Sequence, residues 1–362
     1  MMVQERLVSL QILRFLAAAG VVAYHTPPLI LAATGVAPAN GFYDAIRSGA
    51  AGVDVFFVLS GFVIALTGPF AEPRPSGALF FWRRWRRVAP FYFIVSAIPI
   101  GHALGDLSAD RLVATFLFWP APGPKLIGPY LEVGWTLSFE MAFYSAVALV
   151  LTGGMAKRNI IIAAAIGVVL IICRALFTWD GFRFLASPLF LEFGLGVALA
   201  SIRHRLVRAG LWTGGLLLAL GLGAFAFEAI LGMGDIGDVG GEPFYGHDLR
   251  RIFLFGIPAA GVVAGAIMCE RSCRGRAAGL VARGGDASYA IYLTHMLALS
   301  LIATGWRYLH GPMSPLLLVA MAVAGATAVG LLTHYVVERP ILRDLKRLRW
   351  PQPAGATGAP AD

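Results

Sequence analysis

The sequence predicts an all-α integral membrane protein: a polytopic bundle of about ten transmembrane helices with N- and C-termini cytoplasmic. Composition is the first observation behind this. Apolar residues make up 58% of the 362 and charged residues 14%, against about 25% charged in a soluble domain, and the mean hydropathy is +0.75. The second is that apolar runs of about 20 residues recur along the chain, the length that crosses a bilayer as a helix. The short alternating segments of a transmembrane barrel are not seen. The third is charge placement. If the N-terminus is cytoplasmic, most of the 29 Lys and Arg fall in inside segments such as 83-RRWRR-87, 157-KR-158, 203-RHRLVR-208, 271-RSCRGR-276 and 343-RDLKRLR-349. Outside loops, such as 234-GDIGDVGGEPFYGHDLR-250, hold much of the acid. The basic excess therefore reports topology and does not imply nucleic acid.

The predicted spans are 9–30, 50–68, 88–104, 133–152, 159–177, 184–201, 209–230, 250–268, 287–309 and 314–337. The first is not a cleaved signal peptide, because Arg14 interrupts its core and a second span follows at once. Segment 105–132 is too polar to span and is expected on the outer surface, with 110-DRLVATFLFW-119 as a short interfacial or re-entrant helix. Residues 1–350 form one membrane-embedded domain, and the Pro/Ala/Gly-rich 351–362 is expected to be a disordered cytoplasmic tail. Most of the 43 glycines serve close helix packing. Cys269 and Cys273 stand one residue further apart than a CxxC pair, with no second pair and no His cluster, so no metal site is expected.

Ionisable groups inside spans are costly and usually face protein or water. Arg14 and His25 are eleven residues apart, three turns plus roughly 20°, so both project from one face of the first helix, separated by roughly 16 Å. The alternative readings are a snorkelling arginine and a histidine satisfied in the interior. Asp54 lies near the depth of His25 and could orient the imidazole, pair with a cation or cap its helix. Glu140, in 134-GWTLSFEMAFY-144, must be protonated or paired; it could bind an acceptor hydroxyl or share a proton with His25. Trp135 and Tyr144 in the same stretch are candidates for substrate binding. Trp119, Tyr130 and 242-EPFYGHD-248 could hold a sugar or form an interfacial belt. The arginines Arg83, Arg84 and Arg87 could clamp phosphate, since guanidinium binds it bidentately, or act as an ordinary inner anchor. Tyr292 and His295, in 287-ASYAIYLTH-295, could line a cofactor channel or bond between helices. Glu338, near the inner surface among basic residues, could form a structural ion pair or take a catalytic role; no role is evident for Glu192 or His334.

Together 9-SLQILRFLAAAGVVAYH-25, 52-GVDVFFVLSGFVIA-65, 83-RRWRRVAP-90, 134-GWTLSFEMAFY-144, 288-SYAIYLTH-295 and 337-VERP-340 resemble the acyltransferase-3 family of integral-membrane acyltransferases. The likeness is greatest to its exopolysaccharide O-acetyltransferase branch and spans nearly the whole chain. The resemblance implies a ten-helix core in a bacterial inner membrane, acyl-CoA supplied from the cytoplasm and a carbohydrate acceptor such as an exopolysaccharide, O-antigen or lipid-linked sugar. It also implies that His25 is the essential catalytic histidine, Arg14 its partner, and Arg84 and Arg87 an RxxR element used with acyl-CoA.

The residue reading and the resemblance meet in one expectation. An acetyl group passes from acetyl-CoA, held by its phosphates at the arginine cluster, past Arg14 to His25. There it reaches a hydroxyl, with His25 as general base or acyl carrier and Asp54 or Glu140 orienting it. A transporter or flippase for a glycan precursor or proton-coupled solute is the alternative, since the same groups suit a proton relay. The inverted repeats common in transporters are not seen.

Overall fold

The computed structural model describes residues 7–35, 46–121, 126–154, 184–231, 249–309 and 314–347. Among them the chain is helical, with one isolated bridge between Ala121 and Ile127 and no strand. The predicted span 159–177, the loop stretch 242–248, Cys173 and the tail 351–362 lie outside the described residues.

Helix α1 is Val8–Thr34, closed by Gly35 at φ +70°, where a left-handed residue lets its N–H reach Leu31 O at 2.8 Å. A 3₁₀ turn, Ser48–Ala51, leads into α2, Gly52–Thr67. Helix α3 is Gly77–His102, opened by Ser76 Oγ accepting from the Leu79 N–H at 3.3 Å. The predicted span 88–104 is therefore the second half of a longer helix. The arginine cluster rides on its first turns, because Ser76 caps it early and no breaker intervenes before Pro90. Helix α4, Ala109–Leu117, is the short helix expected in the 105–132 segment. Then follow α5 (Trp135–Thr152), α6 (Leu189–Ser201), α7 (Arg203–Arg208) and α8 (Leu211–Ile230). Helix α9, Leu249–Met268, contains a π-helical turn at Ile252–Gly256. Helix α10 is Arg276–Asp286 and α11 is Ser288–Leu309. Helix α12, Pro315–Thr333, runs through a π-helical turn, His334–Glu338, into α13, Arg339–Arg347.

Seven of the described segments are long and apolar enough to cross a membrane: Val8–Pro28, Ser48–Thr67, Glu132–Thr152, Leu211–Ile230, Leu249–Met268, Ser288–Trp306 and Leu316–Arg347. The chain is thus a multi-pass membrane protein, helical throughout its spans among the described residues. Against the ten spans expected, α6 is a shorter apolar helix of 13 residues, and α3 carries four arginines in its N-terminal half.

Helix α2 packs on α6, α1 and α9, while α8 lies on α9, α11 on α12, α3 on α5, and α1 on both α10 and α11. The α2–α6 contact is backbone to backbone. A Cβ on Gly61 would collide with Phe193 O, and one on Gly196 with Val58 O, so small residues set the distance. An aromatic core including Phe57, Phe139, Phe184 and Phe193 fills the space between α2, α5 and α6. An aliphatic one including Val58, Val262, Val263 and Ile267 joins α2 to α9. Between these cores and α11 the helices do not close, and the gap is the candidate site.

Candidate functional site

A cavity of about 1060 Å³ lies among α1, α2, α3, α5, α9 and α11. Helical periodicity selects its lining. On α1 it includes Leu10, Gln11 and Arg14; on α5, Thr136, Glu140 and Tyr144; on α11, Ser288, Tyr289 and Tyr292. Six arginines line it: Arg14, Arg84, Arg87, Arg203, Arg271 and Arg274. They sit toward the end where α1 and α11 begin. Apolar side chains of α2 and α9, among them Leu59, Phe62, Val63, Ile267 and Met268, form the wall.

Arg84 and Arg87 both line the cavity, the first half-buried and the second exposed, whereas Arg83, also exposed, is outside the lining. Arg84 bonds Thr67 Oγ1 through Nη2 and lies 5.7 Å from the Phe80 ring and 5.9 Å from the Tyr144 ring. Glu140 accepts from Ser60 Oγ at 3.0 Å and from the Tyr144 hydroxyl. Arg14 is half-buried on the cavity wall, within electrostatic range of Arg87, Glu140 and Glu338. The structure therefore brings Arg14, Arg84, Arg87, Glu140 and Tyr144 into one polar cluster, and Glu140 belongs to that cluster instead of contacting His25.

The inner end of the cavity is closed by Tyr292, Thr136 and Phe56. Tyr292 donates to Val133 O at 3.3 Å and accepts from Thr136 Oγ1 at 3.1 Å, and its ring meets Phe56 edge-on at 6.0 Å. One turn beyond stands His295, and against it His25. Neither imidazole lines the cavity. Their Nε2 and Nδ1 atoms, respectively, are 3.3 Å apart, with ring centroids at 5.0 Å. His295, for which the sequence allowed a cofactor channel or a bond between helices, is fully buried as the neighbour of His25.

The carbonyl partners settle the tautomers of the neutral pair. His295 Nδ1 lies 2.6 Å from Tyr292 O and His25 Nδ1 lies 2.9 Å from Val21 O. A carbonyl can only accept, so both Nδ1 atoms carry hydrogen. His295 Nε2 then holds a lone pair facing the Nδ1–H of His25, and His25 Nε2 is that ring's basic nitrogen.

Asp54 does not meet His25. Fully buried, it takes both guanidinium arms of Arg251, Nε to Oδ1 at 2.9 Å and Nη2 to Oδ2 at 2.8 Å. Glu192 and Glu228 interact electrostatically with the same pair. Asp54 is thus in the cation-paired arrangement among the alternatives its sequence position allowed, and Glu192 gains a setting. His334 Nδ1 and Glu338 Oε2 pair at 2.7 Å across the π-helical turn. Trp135 packs on Phe57, which lines the cavity, and on Phe139, and is not itself in the lining. Tyr130 lies buried under Arg111, its hydroxyl accepting from the Ser108 N–H, and Trp119 packs on Phe184.

Arg251, Arg203, Arg271 and Arg274 were not singled out by sequence, where they read as topological charges. No short-range pattern marks them; only Arg251, close to a predicted span edge, carried a usable signal.

The acyltransferase domain family model matches residues 7–335. The exopolysaccharide production protein ExoZ of Rhizobium meliloti (strain 1021) is 32% identical over 307 residues, 82% of this chain and 90% of that protein. The acyltransferase MdmB of Streptomyces mycarofaciens is 27% identical over 350 residues, 83% of each chain. No solved structure matches the chain. The chain belongs to the acyltransferase domain family.

Proposed function

From that membership we propose that the protein transfers an acetyl group from cytoplasmic acetyl-CoA to a hydroxyl of a carbohydrate acceptor, with His25 as the base. The acceptor is an exopolysaccharide, O-antigen or lipid-linked sugar; the similarity to an exopolysaccharide production protein supports that class. The setting is a bacterial inner membrane with both termini cytoplasmic, which the distribution of basic loops supports. The observation that carries the reading is one cavity lined by arginines at its mouth and ending one turn short of the His25–His295 pair.

In this reaction the acceptor oxygen attacks the thioester carbonyl while its proton passes to His25 Nε2. The C–S bond then breaks, and the proton is returned to the departing thiolate. The Val21 carbonyl holds His25 in the tautomer that leaves Nε2 basic, and the His295 Nε2 lone pair, facing the same Nδ1–H, steadies the ring. Arg84 and Arg87 attract the anionic donor, and Arg14 steadies it on its way to the histidines. Glu140 and Tyr144 keep these guanidinium groups oriented, Tyr292 gates the inner end, and Trp135 offers an aromatic face to the acceptor. The pairing with Arg251 supports a positioning role for Asp54, through the packing of α2, instead of direct contact with His25.

Radiolabelled acetyl-CoA supplied to membranes containing the protein tests the reading. Transfer to glycan is expected, and His25→Ala should lower it by about 10²–10⁴-fold. Undiminished transfer by a well-folded His25→Ala protein would overturn it.

A further inference from the structure

The mouth of the cavity holds three arginines from two separate segments. Arg203 opens α7, just after α6 ends. Arg271 and Arg274 come from the turn after α9. Among the described residues none of the three has a carboxylate partner. The nearest lining acid in sequence, Glu270, is committed elsewhere: its two oxygens accept the backbone N–H groups of Val8 and Ser9, at 2.9 Å each. That bond places a carboxylate on the positive end of α1. It also ties the 270–274 turn to the helix that carries Arg14 and His25. The rim is therefore cationic and anchored.

The rest of the cavity is different in kind. Behind the rim its wall includes Val207, Ile267, Met268, Leu59 and Leu66, and its far end bears the hydroxyls of Thr136 and Tyr292. A ligand matching this profile has several negative groups at one end and a thin, weakly polar arm at the other. Guanidinium binds phosphate through two parallel N–H groups. Three such groups lining the same cavity as Arg84 and Arg87 suit a head with several phosphates better than a single phosphodiester.

We propose that Arg203, Arg271 and Arg274 form a phosphate-binding rim that holds the nucleotide end of a coenzyme A-type acyl donor. The pyrophosphate and the 3′-phosphate lie at the rim, the pantetheine arm follows the apolar wall, and the thioester reaches Tyr292. A phosphopantetheine arm on an acyl carrier protein presents one phosphate and is the poorer match. The proposal rests on the acyl-transfer reading but makes a separate claim about which residues select the donor.

The test uses the full chain in detergent or nanodiscs, with acetyl-CoA, acetyl-pantetheine and an acetylated acyl carrier protein as donors. Arg203→Gln, Arg271→Gln and Arg274→Gln are compared with wild type and with Arg343→Gln, a change of an exposed arginine outside the cavity lining. Each rim variant is expected to raise the KM for acetyl-CoA about tenfold (about 1.4 kcal/mol) with kcat retained. The KM for acetyl-pantetheine, which lacks the nucleotide, should stay unchanged. Raising ionic strength should weaken acetyl-CoA use by wild type more than by the rim variants.

Equal KM changes for both small donors, or none for acetyl-CoA, would overturn the proposal. So would transfer from the carrier protein that CoA does not compete against. Equilibrium binding of CoA and of pantetheine is measured in parallel and needs no turnover. If no donor supports transfer, the acyl-transfer reading fails by itself. The rim is then judged by binding, and it fails if the variants bind CoA as wild type does.

Discussion

Replacing Arg251 by Met removes the guanidinium that faces Asp54, Glu192 and Glu228. The bond it removes is bidentate, 2.9 and 2.8 Å, between side chains 4% and 0% exposed. Two unit charges about 4 Å apart interact by about 4 kcal/mol at an effective dielectric of about 20. Breaking a buried pair by deleting one partner costs about 3–5 kcal/mol, because the survivor stays buried and uncompensated. The two figures agree in scale. Asp54→Asn should be milder, about 1–3 kcal/mol, since the amide oxygen can still accept from Arg251 and Glu192 stays within its electrostatic range. Asp54→Leu combined with Arg251→Met should recover part of the loss, as the charges then leave together. The assay is the temperature at which detergent-solubilised protein loses its monodisperse size-exclusion peak, with acetyl transfer measured per folded molecule. The expected order of stability is wild type, Asp54→Asn, then Arg251→Met, with transfer by the folded fraction of Asp54→Asn largely kept. An Asp54→Asn protein that melts like wild type yet has lost transfer would refute this reasoning and make the carboxylate catalytic.

For His295, loss of the Nε2 lone pair should matter more than loss of the ring. His295→Leu should lower kcat by about 10²-fold, within the range of a misplaced general base. His295→Gln, whose amide oxygen can accept from His25 Nδ1–H, should stay within about tenfold and keep the pH profile of kcat/KM; equal rates for both variants would count against the tautomer argument. Gly61→Val should destabilise the α2–α6 contact by about 1–3 kcal/mol or more, because its new atoms meet the Phe193 backbone; a wild-type melting temperature would show that the helices can separate freely there. Burial, followed by Glu270 and Cys269, pushes the Cys273 thiol up from its usual value of 9.0. In a Cys269→Ser background its alkylation by maleimide should therefore be slow at neutral pH and climb in alkaline solution, as the thiolate fraction rises. CoA, occupying the cavity that Cys273 lines, should protect it.

Much of the architecture was legible in the sequence because it depends on local physics. A helix in lipid must satisfy its backbone within itself, so an apolar run of sufficient length announces one. The α1 helix, the α5 helix and the long stretch from Ser288 all begin near their expected positions. The shared face of Arg14 and His25 follows from the helical period, which the backbone imposes whatever surrounds it. The start of α3 was less visible, since four arginines lower the hydropathy of turns that Ser76 nevertheless caps.

What sequence by itself determined is the helical, membrane-spanning class, the faces that carry polar groups and the family to which the motifs point. Tertiary structure alone decided the partners. Asp54 finds Arg251, 197 positions away, and His25 finds His295, 270 positions away. Glu140 meets Ser60, and three arginines that read as loop charges converge on one mouth. No periodicity encodes such meetings. They depend on how helices are rotated and shifted against one another, which side-chain and glycine packing settles across the whole bundle.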